Sequence, residues 1–272
     1  TVESNCSEWL HWMPRRVEPA VILQVVSSDY IPVEKNFVHI LERLSPIFSR
    51  QNIYLVSLDA ASAEMAQSMG MIAAPFQGMG ERRSLTLIWK MRVRVIACLV
   101  EAGFHVIVSD SDALWLGDPW EDLNKSTVRN SSIVASRGES PRHLYHKWGV
   151  TMCMGFIFFR PTGAGMKLFL EVFERLVIRT GDDQKALNAA AYELGVVWNS
   201  DSDMRYVAST EFGTGNVENI DNFQITMLPH SRYTRRCNSL PVSNLTIVAH
   251  CLAPKKGKSK KNWMVKSNLW EN

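Results

Sequence analysis

The stretch Val106-Ile-Val-Ser-Asp-Ser-Asp-Ala-Leu-Trp-Leu-Gly-Asp-Pro-Trp120 decides how this chain is read. An apolar run opens it, and two carboxylates, Asp110 and Asp112, follow at once. Short apolar runs of this kind form buried strands. In open α/β sheets, ligands bind beyond the carboxyl ends of the strands. In extended chain, residues i and i+2 point the same way, so both carboxylates are able to face one hard cation. Mg²⁺ and Mn²⁺ prefer oxygen ligands and keep positions for water or phosphate oxygens. The plain alternative is a turn, which Asp favours through local hydrogen bonds. Asp201-Ser-Asp203 repeats the pattern without a strong strand before it and reads as a solvated turn.

Outward from this stretch, apolar runs at 20–26, 53–56, 133–135, 152–159, 225–228 and 245–249 give further strands. Val33, Phe37, Ile40, Leu41 and Leu44 have helical spacing, and residues 60–69 suit a helix that Gly70 stops. Leu85, Ile88, Val95, Ile96 and Leu99 trace one apolar face of a helix over 84–102, ended by Gly103. Met166, Phe169, Leu170, Phe173, Leu176 and Val177 form another stripe, and Leu187, Ala190, Ala191 and Leu194 one more. Strands and helices alternate through the first half, which predicts an α/β fold with a mostly parallel central sheet flanked by helices. Residues 1–18, polar with Trp9 and Trp12, form a stem or N-terminal arm. No linker divides the remaining residues 19–272.

The 272 residues are 46% hydrophobic and 21% charged, an ordinary globular composition sized for one large core. A net charge of +3 argues against binding nucleic acid mainly by charge. No apolar run approaches the ~20 residues of a membrane span. The sequence begins at Thr1, which leaves room for a leader or membrane anchor upstream. The five cysteines contain no CxxC pair, against a zinc site. Cys98, in a helical pattern, and Cys153, in an apolar strand, read as buried free thiols. Cys6, Cys237 and Cys251 are the candidates for one disulfide. Sequons at Asn5, Asn124, Asn130 and Asn244 point together to the lumen of the secretory pathway.

The run from Lys90 through Glu101-Ala-Gly-Phe-His-Val-Ile-Val-Ser-Asp-Ser-Asp-Ala-Leu-Trp-Leu-Gly-Asp-Pro119 resembles the Asp-x-Asp region of family 77 nucleotide-sugar glycosyltransferases. Three more blocks follow in the family's order. Met154-Gly155-Phe-Ile-Phe-Phe-Arg-Pro-Thr162 resembles its Asn-Ser-Gly-Phe strand, with Cys153-Met154 replacing Asn-Ser. Asp183-Gln184 with Asn188 resembles its Asp-Gln helix start. His250, Gly257, Lys261 and Leu269-Trp270 resemble its C-terminal motif. The segment Leu228–Arg236 matches only loosely.

The resemblance implies a GT-A fold over residues 19–272, a divalent cation (Mn²⁺, or Mg²⁺) and retention of anomeric configuration. With it go a UDP-sugar donor and a glycan or protein hydroxyl as acceptor; the polar stem, the sequons and the start at Thr1 add the expectation of a Golgi-lumenal domain of a type II membrane protein. It places Asp112 on the metal, Asp110 on metal or donor ribose, and His250 as third ligand. Asp183 and Gln184 stand at the donor sugar and reacting carbon, with Gly155 and Asn188 beside them. Ser27, Ser28, Asp29 and Tyr30 approach base and ribose. Lys90 and Arg94 face either the donor or water, and the resemblance favours Lys90. Gly257, Lys258 and Lys261 form a loop over the diphosphate.

Two rivals stand. A haloacid-dehalogenase-like phosphatase also uses Asp-x-Asp after a strand, and Gly181-Asp-Asp183 mimics its later acidic motif. Against it, over a hundred residues precede the motif and Leu114 stands where Thr or Val is expected. The other rival is an inactive module that binds a sugar nucleotide or glycan without turnover, left open by Cys153-Met154.

Overall fold

Alternation within single strands divides the core into two layers. In β1 (Val21–Val26), Val21 and Leu23 join one apolar cluster while Ile22 and Val26 join the other, as a pleated strand buried on both faces requires. The computed structural model describes residues 5–75, 84–199, 203–206, 209–235, 243–250, 260–266 and 269–270.

A short helix, α1 (Cys6–Leu10), precedes β1. Then α2 (Ile31–Leu44), β2 (Ile53–Ser57), α3 (Ala60–Ser68), β3 (Ile72–Pro75), α4 (Leu85–Glu101) and β4 (Val106–Ser109) alternate. The strands lie parallel in the order β3-β2-β1-β4, so the expected α/β class holds. Next come β5 (Leu114–Trp115), α5 (Pro119–Leu123), β6 (Ile133–Gly138), α6 (Arg142–Trp148) and β7 (Thr151–Phe159). The hairpin of β6 and β7 reverses the sheet: β7 is antiparallel to both β4 and β6. After α7 (Ala164–Thr180) and α8 (Asp183–Glu193), strands β8 (Val196–Trp198), β9 (Gly213–Val217) and β10 (Gln224–Met227) complete the large sheet, which has nine strands among the described residues and excludes β5. Parallel pairing thus holds up to β4, and the whole sheet is mixed.

One layer packs α4, α7 and α8 on the sheet through residues such as Met91, Phe169, Leu187 and Ile157. The opposite layer packs α2 and α3 through Phe37, Met65, Ile107 and Phe158. A second sheet closes this side, with β11 (Tyr233–Thr234) beside β12 (Val248–Ala249) and β12 beside β5. Near the chain's end, α9 (Lys260–Lys266) is followed by Leu269, whose carbonyl accepts from Asn36 on α2 at 3.1 Å.

Two expectations are corrected. Leu85 is 65% exposed, so the buried face of α4 begins at Ile88. Cys98 is not a free thiol: it is disulfide-bonded to Cys6. The helical pattern around Cys98 gave its burial but not the partner, because α1 crosses α4 only in the tertiary fold. Trp9 is buried there, and its carbonyl accepts from Tyr54 Oη at 2.7 Å. Cys153 is free and buried, as read from the strand pattern. Cys237 and Cys251 lie outside the described residues.

The disulfide closes a loop with a sequence separation of 92. A loop of that size is worth about 4.6 kcal/mol of unfolded-state entropy in the chain-entropy treatment. The Cys6→Ser/Cys98→Ser variant is therefore expected to melt roughly 10 °C lower, and thermal denaturation of both forms checks this.

Candidate active site

Asp110 and Asp112 leave the carboxyl end of β4, where the notional metal position was expected, but their geometry is a turn. Asp110 N–H donates to the Gly155 carbonyl (3.0 Å), and Ala113 N–H donates back to the Asp110 carbonyl (2.8 Å). The turn, not extended chain, brings the two carboxylates together. Beneath it, Ser111 Oγ donates to Glu34 at 2.7 Å. Glu34 lies wholly inside the protein, where burial outweighs the serine hydrogen bond and pushes its carboxyl up to about 7. The Gln24 amide, oriented to donate, lies 2.7 Å from the same carboxylate. The turn thus rests on a buried polar post.

His250 directly follows β12. Its Nε2 lies 3.3 Å from Asp112 and 3.6 Å from Asp110, and ligand atoms of all three lie within 4.8 Å of one another. Burial disfavours the imidazolium, but the Asp112 charge and hydrogen bond outweigh it and push the pKa up to about 9. The ring fits only because residue 155 is glycine. A Cβ there would stand 2.0 Å from His250 Cε1 and 2.1 Å from Nδ1. Cys153 Sγ lies 3.9 Å from Nδ1 and accepts from Gly155 N–H at 3.3 Å. Burial raises this thiol's pKa, yet Arg235 and His250 bring it down to about 7.

Asp182 caps α8 by accepting from Lys185 N–H at 2.8 Å, which leaves Asp183 to face inward. Asp183 accepts from Arg92 Nε at 2.6 Å, and Arg92 Nη1 reaches Asp110 at 2.9 Å. Burial pushes the Asp183 carboxyl up against the pull of Arg92. The guanidinium also lies over the Trp89 ring, 4.7 Å from its centroid. Gln184 Nε2 donates to the Ser140 carbonyl at 2.9 Å. Together these residues line a cleft of about 290 Å³ that includes Arg235.

The other predicted residues are dispersed. Asn188 is fully buried, and its amide is engaged with Met152 N–H, the Met152 carbonyl and the Gln184 carbonyl. It supports β7 from behind rather than opening on the cleft. Ser27, Ser28, Asp29 and Tyr30 leave the carboxyl end of β1, two positions from β7 in the sheet, and do not line the cleft. Ser28 N–H donates to Asp59, whose carboxylate pKa is lowered: burial raises it, but hydrogen bonds from Ser28 and Ser62 outweigh that. Lys90 is half-buried outside the cleft lining, and Arg94 pairs with Glu174 at 3.3 Å. Lys261 is exposed, with Nζ 4.8 Å from the Trp270 ring centroid. Gly257 and Lys258 lie outside the described residues. Asp203 pairs with Arg205 two residues on, and Asp201 is outside the described residues.

Arg92 and Arg235 escaped the sequence reading. Arg92 had a signal: it interrupts the apolar stripe between Ile88 and Val95. A cation inside such a stripe is buried, and a buried cation needs a partner. Lys90 and Arg94 instead lie on the other side of the helix. Arg235 had no comparable signal in its loosely matched segment.

A sheet edge carrying a carboxylate pair, a histidine and a polar cleft is a candidate site for metal-assisted chemistry. The sequence profile described as nucleotide-diphospho-sugar transferase matches residues 51–260. The chain belongs to that family, and the phosphatase alternative ends there. No curated protein matches the chain. Among solved structures, the galactosyltransferase LgtC in complex with donor and acceptor sugar analogs is similar with a TM-score of 0.50 at 13% identity, over 91% of this chain and 94% of that one. An active-site mutant of LgtC gives 0.52 at 12%, over 91% and 95%. The glycosyltransferase GlyE of Streptococcus pneumoniae TIGR4 gives 0.50 at 12%; the match covers 91% of this chain but only 60% of GlyE. At these identities the likeness shows the fold, which is the GT-A glycosyltransferase fold.

Two measurements follow from the His250 geometry. Gly155→Ala is expected to displace the ring and weaken divalent-cation binding by roughly 10–100-fold, the range for disturbed ligand orientation; calorimetry with Mn²⁺ reads this out. Cation and proton also compete for Nε2. With a folded pKa of about 9 against an ordinary 6.5, the imidazolium's contribution to metal-free stability is present below about 6.5 and lost as pH rises through about 9. Cation affinity runs the opposite way, tightening about tenfold per pH unit from 7 towards 9. Calorimetry across this range checks the slope.

Proposed function

We propose that this chain is a divalent-cation-dependent, retaining glycosyltransferase that moves a hexosyl or pentosyl group from a UDP-sugar to a hydroxyl of a glycan or protein. The observation that carries this reading is the convergence of Asp110, Asp112 and His250 at the carboxyl edge of the sheet. Two carboxylates and one imidazole suit Mn²⁺ better than Mg²⁺, which prefers oxygen alone, and the space over Gly155 exists for the histidine. When bound, such a cation supplies Lewis-acid stabilisation of negative charge on a departing diphosphate.

The chain's own residues do the positioning. Asp183, fixed by Arg92, accepts hydrogen bonds from donor-sugar hydroxyls. Gln184, held through Ser140, flanks the reacting carbon. Because Asp183 is buried and ion-paired with Arg92, it is poorly suited to be a free nucleophile. This favours front-face transfer, in which the acceptor oxygen bonds to the anomeric carbon as the bond to the diphosphate oxygen breaks. The acceptor's proton passes to that phosphate oxygen. Gly257, Lys258 and Lys261 are assigned to the diphosphate, Lys261 from the first turn of α9 rather than from a loop, and Ser27 to Tyr30 to the nucleoside end of the donor.

The setting proposed is the Golgi lumen, with a membrane anchor upstream. The Cys6–Cys98 disulfide supports an oxidising compartment, and Asn5, Asn124, Asn130 and Asn244 are all exposed, as N-glycan acceptors must be. No helix among the described residues is long and apolar enough to cross a membrane.

A panel of nucleotide sugars, scored for slow Mn²⁺-dependent donor hydrolysis, tests the reading. One UDP-sugar is expected to turn over, and Asp112→Ala to slow it about a hundredfold or more. Donor binding without turnover, for every sugar and acceptor offered, would instead identify a pure binding module.

A further inference from the structure

Arg235 stands one residue beyond β11. The register of the small sheet sets Thr234 beside Ala249, and Ala249 beside Leu114. Arg235 therefore emerges at the same edge as His250 and the Asp112 turn, and it lines the cleft. Its backbone N–H donates to His230 Nε2 at 3.3 Å, which fixes the chain at this point.

The guanidinium has work left to do. Its Nε is buried and has no hydrogen-bond partner among the described residues. Nη1 reaches over Gly138: a Cβ built there would lie 3.2 Å from Nη1 and 3.3 Å from Gln184 Nε2. Two N–H donors from separate elements thus converge above a residue without a side chain. One hydrogen of the Gln184 amide is already given to Ser140. The groups whose charge Arg235 feels are Cys153, Tyr206, Asp110 and Asp112. Arg92 differs, because its guanidinium is spent on Asp183 and Asp110.

A divalent cation on Asp110 and Asp112 would take up two of the negative charges that act on Arg235, leaving chiefly the Cys153 thiol, which is only partly ionised. A buried guanidinium left without a counter-charge is costly. The loaded cleft therefore calls for an anion, and Arg is the side chain whose planar fork matches phosphate oxygens. Resting on the donor reading above, we propose that Arg235 binds an anionic oxygen of the donor, supplied by its diphosphate.

The test is calorimetry with Mn²⁺ on wild type, Arg235→Ala, Arg235→Gln and Arg235→Lys, using uridine, UMP, UDP and a UDP-uronic acid. Arg235→Ala and Arg235→Gln are expected to weaken UDP by roughly 10–100-fold, with uridine unchanged. Arg235→Lys restores part of the loss, because a point charge replaces the fork. Melting temperature and Mn²⁺ affinity without nucleotide confirm that each variant is folded, and Arg235→Gln serves where Arg235→Ala is not. Unchanged UDP affinity in the folded variants overturns the proposal. So does a loss confined to the UDP-uronic acid, which would move the anion to a sugar carboxylate. If wild type binds no nucleotide with the cation present, the donor reading itself falls, and the assignment with it.

Discussion

The register of the three short strands β11, β12 and β5 governs the active-site edge. Leu114, Ala249 and Thr234 stand in one row across this sheet, and His250 N–H donates to the Thr234 carbonyl at 2.9 Å. Just beyond that row stand His250 and Arg235, and Asp112 lies two residues before Leu114. A strand shifted by one residue would turn its side chains to the opposite face, so all three groups depend on the same few backbone hydrogen bonds. Trp115 helps lock the row. Its indole N–H donates to Ser109 Oγ at 3.1 Å, and its ring meets Phe37, Phe48 and Phe156 edge-on.

Opposite this row, β7 and α8 supply the other wall. Every residue of β7 is buried, which leaves it little freedom to move, and Asn188 clips α8 to it through Met152. The missing side chain at Gly155 admits the His250 ring, and the one at Gly138 admits Arg235 and Gln184. Arg92 then ties α4 to both walls through Asp110 and Asp183. Behind the cleft, the fully buried Arg137 donates to the carbonyls of Leu228, Asp203, Arg205 and Glu211. It gathers the chain leading into β9 and the end of β10 onto β6.

Much of this was legible in the sequence, because burial writes a period into it. The strand before Asp110, the α4 and α7 stripes and the α/β alternation were all visible as spacing. Asp110, Asp112 and His250 were each visible as polar residues ending an apolar run, although β12 is only two residues long and Leu245 is exposed. What periodicity does not encode is which distant segments touch. The Cys6–Cys98 bond, the turn that replaces extended chain at Asp110, and the reversal of the sheet at β7 are all tertiary facts. Arg92 was concealed differently: its flanking cations Lys90 and Arg94, on the other side of the same helix, are the more conspicuous charges in the sequence.

The wide separation in sequence of Asp110 and Asp112 from His250 has a consequence for synthesis. Asp112 leaves the ribosome well before His250, an interval of roughly 140 residues, or about 7–30 s at ~5–20 residues per second. During that time the carboxylate turn has neither its histidine nor the β12 strand that anchors it. A nascent chain therefore cannot assemble the three-ligand site from its first half. Completing the site is a late event, because it waits for the segment that carries β12 and His250.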